Sequence, residues 1–145
     1  MQSLTVPGTL DSLSAIADFV KSASVAANLD KKAAYSLRLA VDEIATNIIV
    51  HGYEEAGLTG DLYLMYDLDD SSVSITIEDT GAVYDLNQHL LPEEEALKQP
   101  LEQRQIGGLG IYLAIQGVDR FIYQRDRDRN RNTFVMNRPT AVQSN

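Results

Sequence analysis

The chain has 145 residues, of which 44% are apolar, and its 12 Lys plus Arg stand against 21 Asp plus Glu, giving a net charge of −9 at pH 7. Such acidity disfavours non-specific nucleic-acid binding and docking on an anionic membrane, because no general attraction to phosphate is available. The absence of cysteine excludes a disulfide framework, a thiol nucleophile and a thiolate metal site. The length predicts one domain over residues 1–145, and the lack of a visible leader or long apolar run predicts a cytoplasmic protein.

The first third of the chain predicts one short strand and two helices. Residues 4–6 can form a strand, and apolar residues recur at helical spacing over residues 10–27. Asp30 is suited to be the N-cap of a second helix. We expect this helix to run to about His51, with Gly52 as its C-terminal signal.

The middle of the chain predicts a hairpin, a long loop and a third helix. Residues 62–68 and 73–78 alternate as strands do, and residues 69–72 between them suit a turn. Residues 80–106 lack a strong period, and a loop of this length inside a domain is usually functional or disordered. Residues 109–118 predict the third helix.

The C-terminal part predicts a second hairpin, formed by residues 121–125 and 133–137. In the intervening run 125–131 arginines alternate with Asp and Asn, which indicates a solvated turn with compensated charges rather than a nucleic-acid patch. The elements together predict an α+β two-layer sandwich, in which helices cover one face of a mostly antiparallel sheet.

A row of polar residues follows one flank of the second helix. Glu43, Asn47 and His51 stand at four-residue steps, beside an apolar stripe that should face the sheet. The row can be a solvated flank. Alternatively, it borders a cleft, in which Asn47 offers an amide oxygen to Mg²⁺ and Glu43 orients or deprotonates a hydroxyl nucleophile.

Asp79-Thr80-Gly81 follows directly on a predicted strand. A carboxylate at a strand end can accept a hydrogen bond from an exocyclic amine such as that of adenine, and a glycine lets a flat ring approach the backbone. The competing interpretation is an ordinary turn, because Asp and Gly are common in turns.

Gly107-Gly108-Leu109-Gly110 opens the third predicted helix. A glycine-rich helix N-terminus can bind phosphate through free N–H groups, or it can be a simple hinge. The cluster matches neither the Walker pattern nor a dinucleotide fingerprint. Arg104, just before it, can either neutralise a terminal phosphate or lie exposed.

The order and spacing of these motifs resemble those of the Bergerat-fold ATPases, the group of gyrase B and the histidine kinases. More narrowly, the chain resembles the small anti-sigma-factor serine protein kinases over about residues 4–137. The stretches that carry the resemblance are residues 37–47, His51-Gly52-Tyr53, Asp79-Thr80-Gly81, residues 106–111 and Asn132-Thr133-Phe134. The ordered combination is far more specific than any one motif.

The resemblance implies roles for individual residues. Glu43 would be the general base, Asn47 would bind Mg²⁺ and Asp79 would read the adenine amino group, beneath a lid over about residues 86–108. Arg104 is the second predicted catalytic residue, because of its charge and its place before the glycine cluster. The residues expected to contact ATP or ADP are Asn47, His51, Asp79, Gly81, Gly107, Gly108, Leu109, Gly110 and Thr133.

The resemblance further implies an ATP- and Mg²⁺-dependent serine/threonine protein kinase that acts as an anti-sigma factor. Its substrate would be a small anti-anti-sigma partner, a sigma factor would compete as a second partner, and relatives often form homodimers. No nucleic acid or membrane partner is expected. The rival interpretation is a module that binds nucleotide and sequesters a protein without transferring phosphate.

Overall fold

The computed structural model describes residues 1–83 and 108–139, which form one five-stranded sheet with three α-helices packed on it. Neighbouring strands are antiparallel throughout, in the order β1-β2-β3-β5-β4. The strands are β1 (Gln2–Pro7), β2 (Asp61–Leu68), β3 (Ser72–Asp79), β4 (Arg120–Asp126) and β5 (Arg129–Asn137). The predicted α+β architecture is confirmed.

The helices begin close to the predicted positions. They are α1 (Leu13–Ala26), which follows a 3₁₀ turn at Leu10–Ser12, α2 (Lys31–Asn47) and α3 (Gly108–Gln116). Asp30 caps α2 as predicted, because its carboxylate accepts a 2.7 Å hydrogen bond from the backbone N–H of Ala33. In the part of the chain that the structure describes, no helix is long and apolar enough to cross a membrane. Arg104, Gly107 and most of the predicted lid lie outside the described residues.

The core lies between the helices and one face of the sheet. The apolar stripe of α2 contributes Leu37, Val41 and Ile44, which meet Ile75 and Phe134 of the sheet in the same cluster of buried side chains. All five are at most 1% exposed. Burying a side chain of this size stabilises the fold by about 1.5–3 kcal/mol. The stripe therefore fixes which flank of α2 lies at the margin of the core.

The prediction that Gly52 ends the second helix is wrong. Beyond Asn47 the helix continues as a π-helical segment over Ile48–Glu54, and the left-handed backbone conformation occurs later, at Gly57 (φ 69°). π-Helical turns are rare and often occur at functional sites. Here the wider turn carries the backbone of Gly52 to the end of β3, where its carbonyl accepts a 2.8 Å hydrogen bond from the N–H of Ala82.

The C-terminal hairpin is confirmed, but its charged turn is shorter than predicted. Only Arg127 and Asp128 form the turn, and Arg127 has a positive φ of 57°. Arg125 and Arg131 belong to the paired strands instead. The arginine run is therefore mostly strand, and Asn130 within it is buried.

Candidate functional site

Asp79 is a buried carboxylate at the end of β3, with a relative exposure of 1%. Its Oδ1 accepts hydrogen bonds of 2.9 Å from the N–H of Gly81 and 2.9 Å from Nδ2 of Asn130. Its Oδ2 is also buried, and no described residue donates to it. Burial raises the pKa of the Asp79 carboxyl, while the hydrogen bonds from Asn130 and Gly81 oppose the rise. A buried acceptor without a donor is costly, so Oδ2 is suited to receive a donor from a ligand.

Asn130 reaches Asp79 because β3 and β5 are paired in a register that sets the two residues opposite each other. The Asn130 side-chain amide donates to Asp79 and also, at 3.2 Å, to the carbonyl of Gly81. On its other side the amide oxygen accepts from the Tyr123 hydroxyl at 2.6 Å and from Arg125 at 3.0 Å. Sequence reasoning missed Asn130, because it stands 51 residues from its partner inside a run that looked like an exposed turn.

Gly81 and Tyr53 hold the backbone around Asp79. A Cβ at Gly81 would lie 2.6 Å from the carbonyl oxygen of Gly52, so the close approach of these two segments requires a glycine. The Tyr53 ring is 2% exposed, and its hydroxyl donates to the carbonyl of Asp61 at 2.7 Å and accepts from the N–H of Thr80 at 2.9 Å. The π-helical segment thereby positions the end of β3. The glycine was predicted to admit a flat ring, whereas in the structure it admits another backbone segment.

A small cavity joins Asp79 to Asn47. Its apolar wall includes Ile44 and Ile48 of the helix, and the polar wall includes Asn47, Asp79 and Asn132. Asn47 is 7% exposed. The cavity measures about 20 Å³, roughly the space of one water molecule, so it admits the edge of a ring rather than a whole base.

The other members of the helical row lie outside this cavity. Glu43 is half-buried one turn before Asn47. Residues four apart lie on the same flank of a helix, so the Glu43 carboxylate can face a group that is bound next to Asn47. His51 contacts Glu55 through Nδ1, along the π-helical segment. His51 is not among the residues that line the small cavity.

Thr133 lies on the face of the sheet away from the helices. Its hydroxyl stands 3.4 Å from that of Thr76, the residue opposite it on β3. Side chains alternate along a strand, so the neighbouring Asn132 faces the helices instead, is 3% exposed and lines the cavity. The structure thus brings Asn132, and not the predicted Thr133, to the lining of the cavity.

The glycine-rich motif opens a helix, as predicted, because α3 begins at Gly108. Gly108, Leu109 and Gly110 form its first turn, and Ile111 and Ala114 behind them are buried in the core. The free backbone N–H groups of a helix start are the atoms that bind phosphate oxygens elsewhere.

The oxygen atoms near the cavity are suited to bind a hard cation that a phosphate group also binds. Among the described residues, no group of three or more His, Cys, Asp or Glu side chains could hold a metal by itself. Mg²⁺ usually takes one or two protein oxygens and completes its shell with water and substrate phosphates. The amide oxygen of Asn47 fits such a site, and a metal that uses it would need phosphate ligands as well.

Comparison with known proteins assigns the whole architecture to one family. The family described as histidine kinase-like ATPase domain matches residues 6–137. The anti-sigma F factor of Bacillus licheniformis is 37% identical over 65 residues, which are 45% of this chain and 39% of that protein. The serine-protein kinase RsbW of Halalkalibacterium halodurans is 28% identical over 93 residues, 62% of this chain and 54% of that protein. The chain thus matches about half or less of the length of these curated relatives.

Two solved structures share the fold. The histidine kinase domain of the blue-light activated kinase from Erythrobacter litoralis EL346 has a TM-score of 0.50 at 16% identity, covering 90% of this chain and 61% of that one. The Acinetobacter baumannii histidine kinase AdeS has a TM-score of 0.51 at 11% identity, covering 97% and 70%. At these identities the likeness concerns the fold alone.

Proposed function

Because the chain belongs to the histidine kinase-like ATPase domain family, we propose that it is an ATP- and Mg²⁺-dependent serine/threonine protein kinase and an anti-sigma factor. Its substrate is a small anti-anti-sigma partner, and phosphorylation of that partner switches which protein the kinase holds. The names of the curated relatives, an anti-sigma F factor and a serine-protein kinase, support both halves of the proposal.

The buried, half-satisfied carboxylate of Asp79 carries the nucleotide part of the proposal. No described residue donates to its Oδ2, and Asp79 lines a cavity that admits the edge of a ring. The amino edge of adenine supplies an N–H donor of the right polarity, whereas guanine presents a carbonyl oxygen at the same position. ATP and ADP should therefore bind better than GTP.

The catalytic part of the proposal depends on the end of α2. Asn47 would hold Mg²⁺ through its amide oxygen, and a metal bound there would offset the charge of the phosphates. Glu43 lies one helical turn earlier and accepts the proton of the substrate hydroxyl. Backbone N–H groups at the start of α3 bind phosphate oxygens. The positive charge of Arg104 offsets the negative charge of the terminal phosphate.

The experiment that tests this proposal separates phosphate transfer from binding. Wild-type protein and Glu43→Gln are incubated with labelled ATP, Mg²⁺ and small candidate partner proteins encoded beside the gene. We expect the wild type to label a Ser or Thr of one partner, and Glu43→Gln to bind ATP normally while labelling about 10²–10⁴-fold more slowly.

Asp42→Asn is the matched control, because Asp42 is an exposed acidic neighbour on the same helix. It should label at the wild-type rate. Wild-type binding of ATP without labelling of any partner would favour the rival function, a nucleotide-dependent sequestering module. Equal labelling rates for Glu43→Gln and wild type would remove Glu43 from the mechanism.

A further inference from the structure

The side-chain amide of Asn130 uses its whole hydrogen-bonding capacity. Its Nδ2 donates to Asp79 Oδ1 at 2.9 Å and to the Gly81 carbonyl at 3.2 Å. Its Oδ1 accepts from the Tyr123 hydroxyl at 2.6 Å and from the Arg125 guanidinium at 3.0 Å. An asparagine amide offers two donor hydrogens and two acceptor lone pairs, so nothing in this buried group is left unpaired. Such a fully connected network specifies one arrangement.

The identity of the four partners decides which way the amide faces. Rotating it by half a turn would set its oxygen against the Asp79 carboxylate and the Gly81 carbonyl, and its NH₂ against the Arg125 guanidinium. The contacts with Asp79, Gly81 and Arg125 would then each join two acceptors or two donors, whereas the Tyr123 hydroxyl can accept as well as donate. Arg125 on β4, which can only donate, therefore holds the NH₂ of Asn130 towards Asp79, and Tyr123 on the same strand occupies the second lone pair of the amide oxygen.

This orientation makes the two oxygens of Asp79 unequal. Two donors, from Asn130 and from the backbone of Gly81, converge on Oδ1. A rotation of the carboxylate would change which oxygen they meet, so one oxygen receives two donors and the other receives none from the described residues. The contacts thus run from Tyr123 and Arg125 on β4 through Asn130 on β5 to Asp79 on β3.

We propose that Asn130 is the positioning and specificity residue of the nucleotide site. It holds Asp79 with one oxygen occupied and the other available, and the available oxygen selects a purine that carries an exocyclic amino group. Tyr123 and Arg125 support this role by fixing the amide of Asn130. The inference rests on the proposed function, in which the amino edge of the adenine of ATP enters this cavity.

The test compares ATP with purine riboside triphosphate, which lacks only the exocyclic amino group. Calorimetry on the wild type should give a preference of about ten-fold or more for ATP, the usual effect of one hydrogen bond to a buried charged group. Asn130→Asp is nearly isosteric but sets a second carboxylate against Asp79. We expect it to lose most of its ATP affinity and to bring the ratio of the two affinities close to one.

Tyr123→Phe provides a second, milder variant. It removes one of the two donors that hold the amide oxygen of Asn130 in place, so we expect an ATP preference between those of the wild type and Asn130→Asp. Asn137→Asp is the control for added charge, because it makes the same chemical change at an exposed position of the same strand and should keep the wild-type ratio. Thermal unfolding is followed for every variant.

The outcomes distinguish a failure of the adenine assignment from a failure of the role proposed for Asn130. A wild type that does not bind ATP, or that binds both triphosphates equally, overturns the adenine assignment and this inference with it. A wild type that discriminates, with Asn130→Asp keeping the same ratio or losing both ligands equally, overturns the inference alone. If Asn130→Asp fails to fold, an unchanged ratio in Tyr123→Phe overturns it.

Discussion

Replacing Asp79 by Asn should weaken nucleotide binding while relieving the nucleotide-free protein of a buried charge. Two donors, the N–H of Gly81 and the amide of Asn130, meet Oδ1 of Asp79. In Asp79→Asn they hold the new side-chain oxygen, which places the new NH₂ where the unpaired Oδ2 was. The adenine amino group would then face a donor instead of an acceptor.

The size of the effect on binding follows from the loss of one hydrogen bond to a charged group. Such a bond contributes about 1.5–3 kcal/mol, which corresponds to roughly a 10- to 150-fold loss of ATP affinity. The effect on stability has the opposite sign near neutral pH. Removing the charge eliminates the free-energy cost of desolvating the Asp79 carboxylate, which is the effect that raises its pKa. The unpaired Oδ2 is replaced by an unpaired NH₂ group.

The stability difference should depend on pH in a defined direction. The pKa of Asp79 is raised in the folded protein, so the folded state holds its proton more tightly than the unfolded state does. Below about pH 4, the ordinary range of an aspartate, both states are protonated and the carboxylate imposes no cost. As the pH rises through the raised folded pKa, the wild type loses stability that Asp79→Asn keeps.

The assay is thermal unfolding of both proteins without nucleotide between about pH 4 and pH 8, together with calorimetric titration by ATP. We expect the melting temperature of Asp79→Asn to gain on that of the wild type as the pH rises. Parallel pH profiles, or a variant that is less stable by the same amount at every pH, would show that the carboxylate is not a desolvated charge. Unchanged ATP affinity would refute the adenine contact.

Three further outcomes follow from the same geometry. Asn47→Ala should lower Mg²⁺-dependent ATP affinity with little change in binding measured in a chelator, because the amide is the proposed metal ligand; equal losses in both titrations would contradict that role. Gly81→Ala should lower the free energy of unfolding by about 1–3 kcal/mol, because the added Cβ would overlap backbone. Gly52→Ala is its control, since a Cβ there would meet nothing closer than 3.6 Å, and equal destabilisation would sink the argument. In a pull-down, the unmodified partner should be retained and the phosphorylated partner released, because about −1.5 to −2 added charges meet a protein of net charge −9; equal retention of both forms with ATP and with ADP would exclude the switch.

Local patterns in the sequence determined most of the fold. The apolar stripe of α2, the Asp30 cap and the alternation in β2 and β3 predicted elements that the structure confirms. These features depend on neighbours within a few positions, so periodicity and capping chemistry are enough to read them. The motif order also predicted a cleft bordered by Asn47 and Asp79, which the structure brings to one cavity.

The tertiary structure decided what surrounds those two residues. Asn130 meets Asp79 only because β3 pairs with β5 in one particular register, and a shift of one residue would turn the amide to the other face. Because side chains alternate along β5, Asn132 lines the cavity, whereas the predicted Thr133 lies on the opposite face of the sheet. Strand pairing is set by the packing of the whole sheet and not by neighbours along the chain. The sequence therefore identified the carboxylate, and only the fold showed which residues hold it.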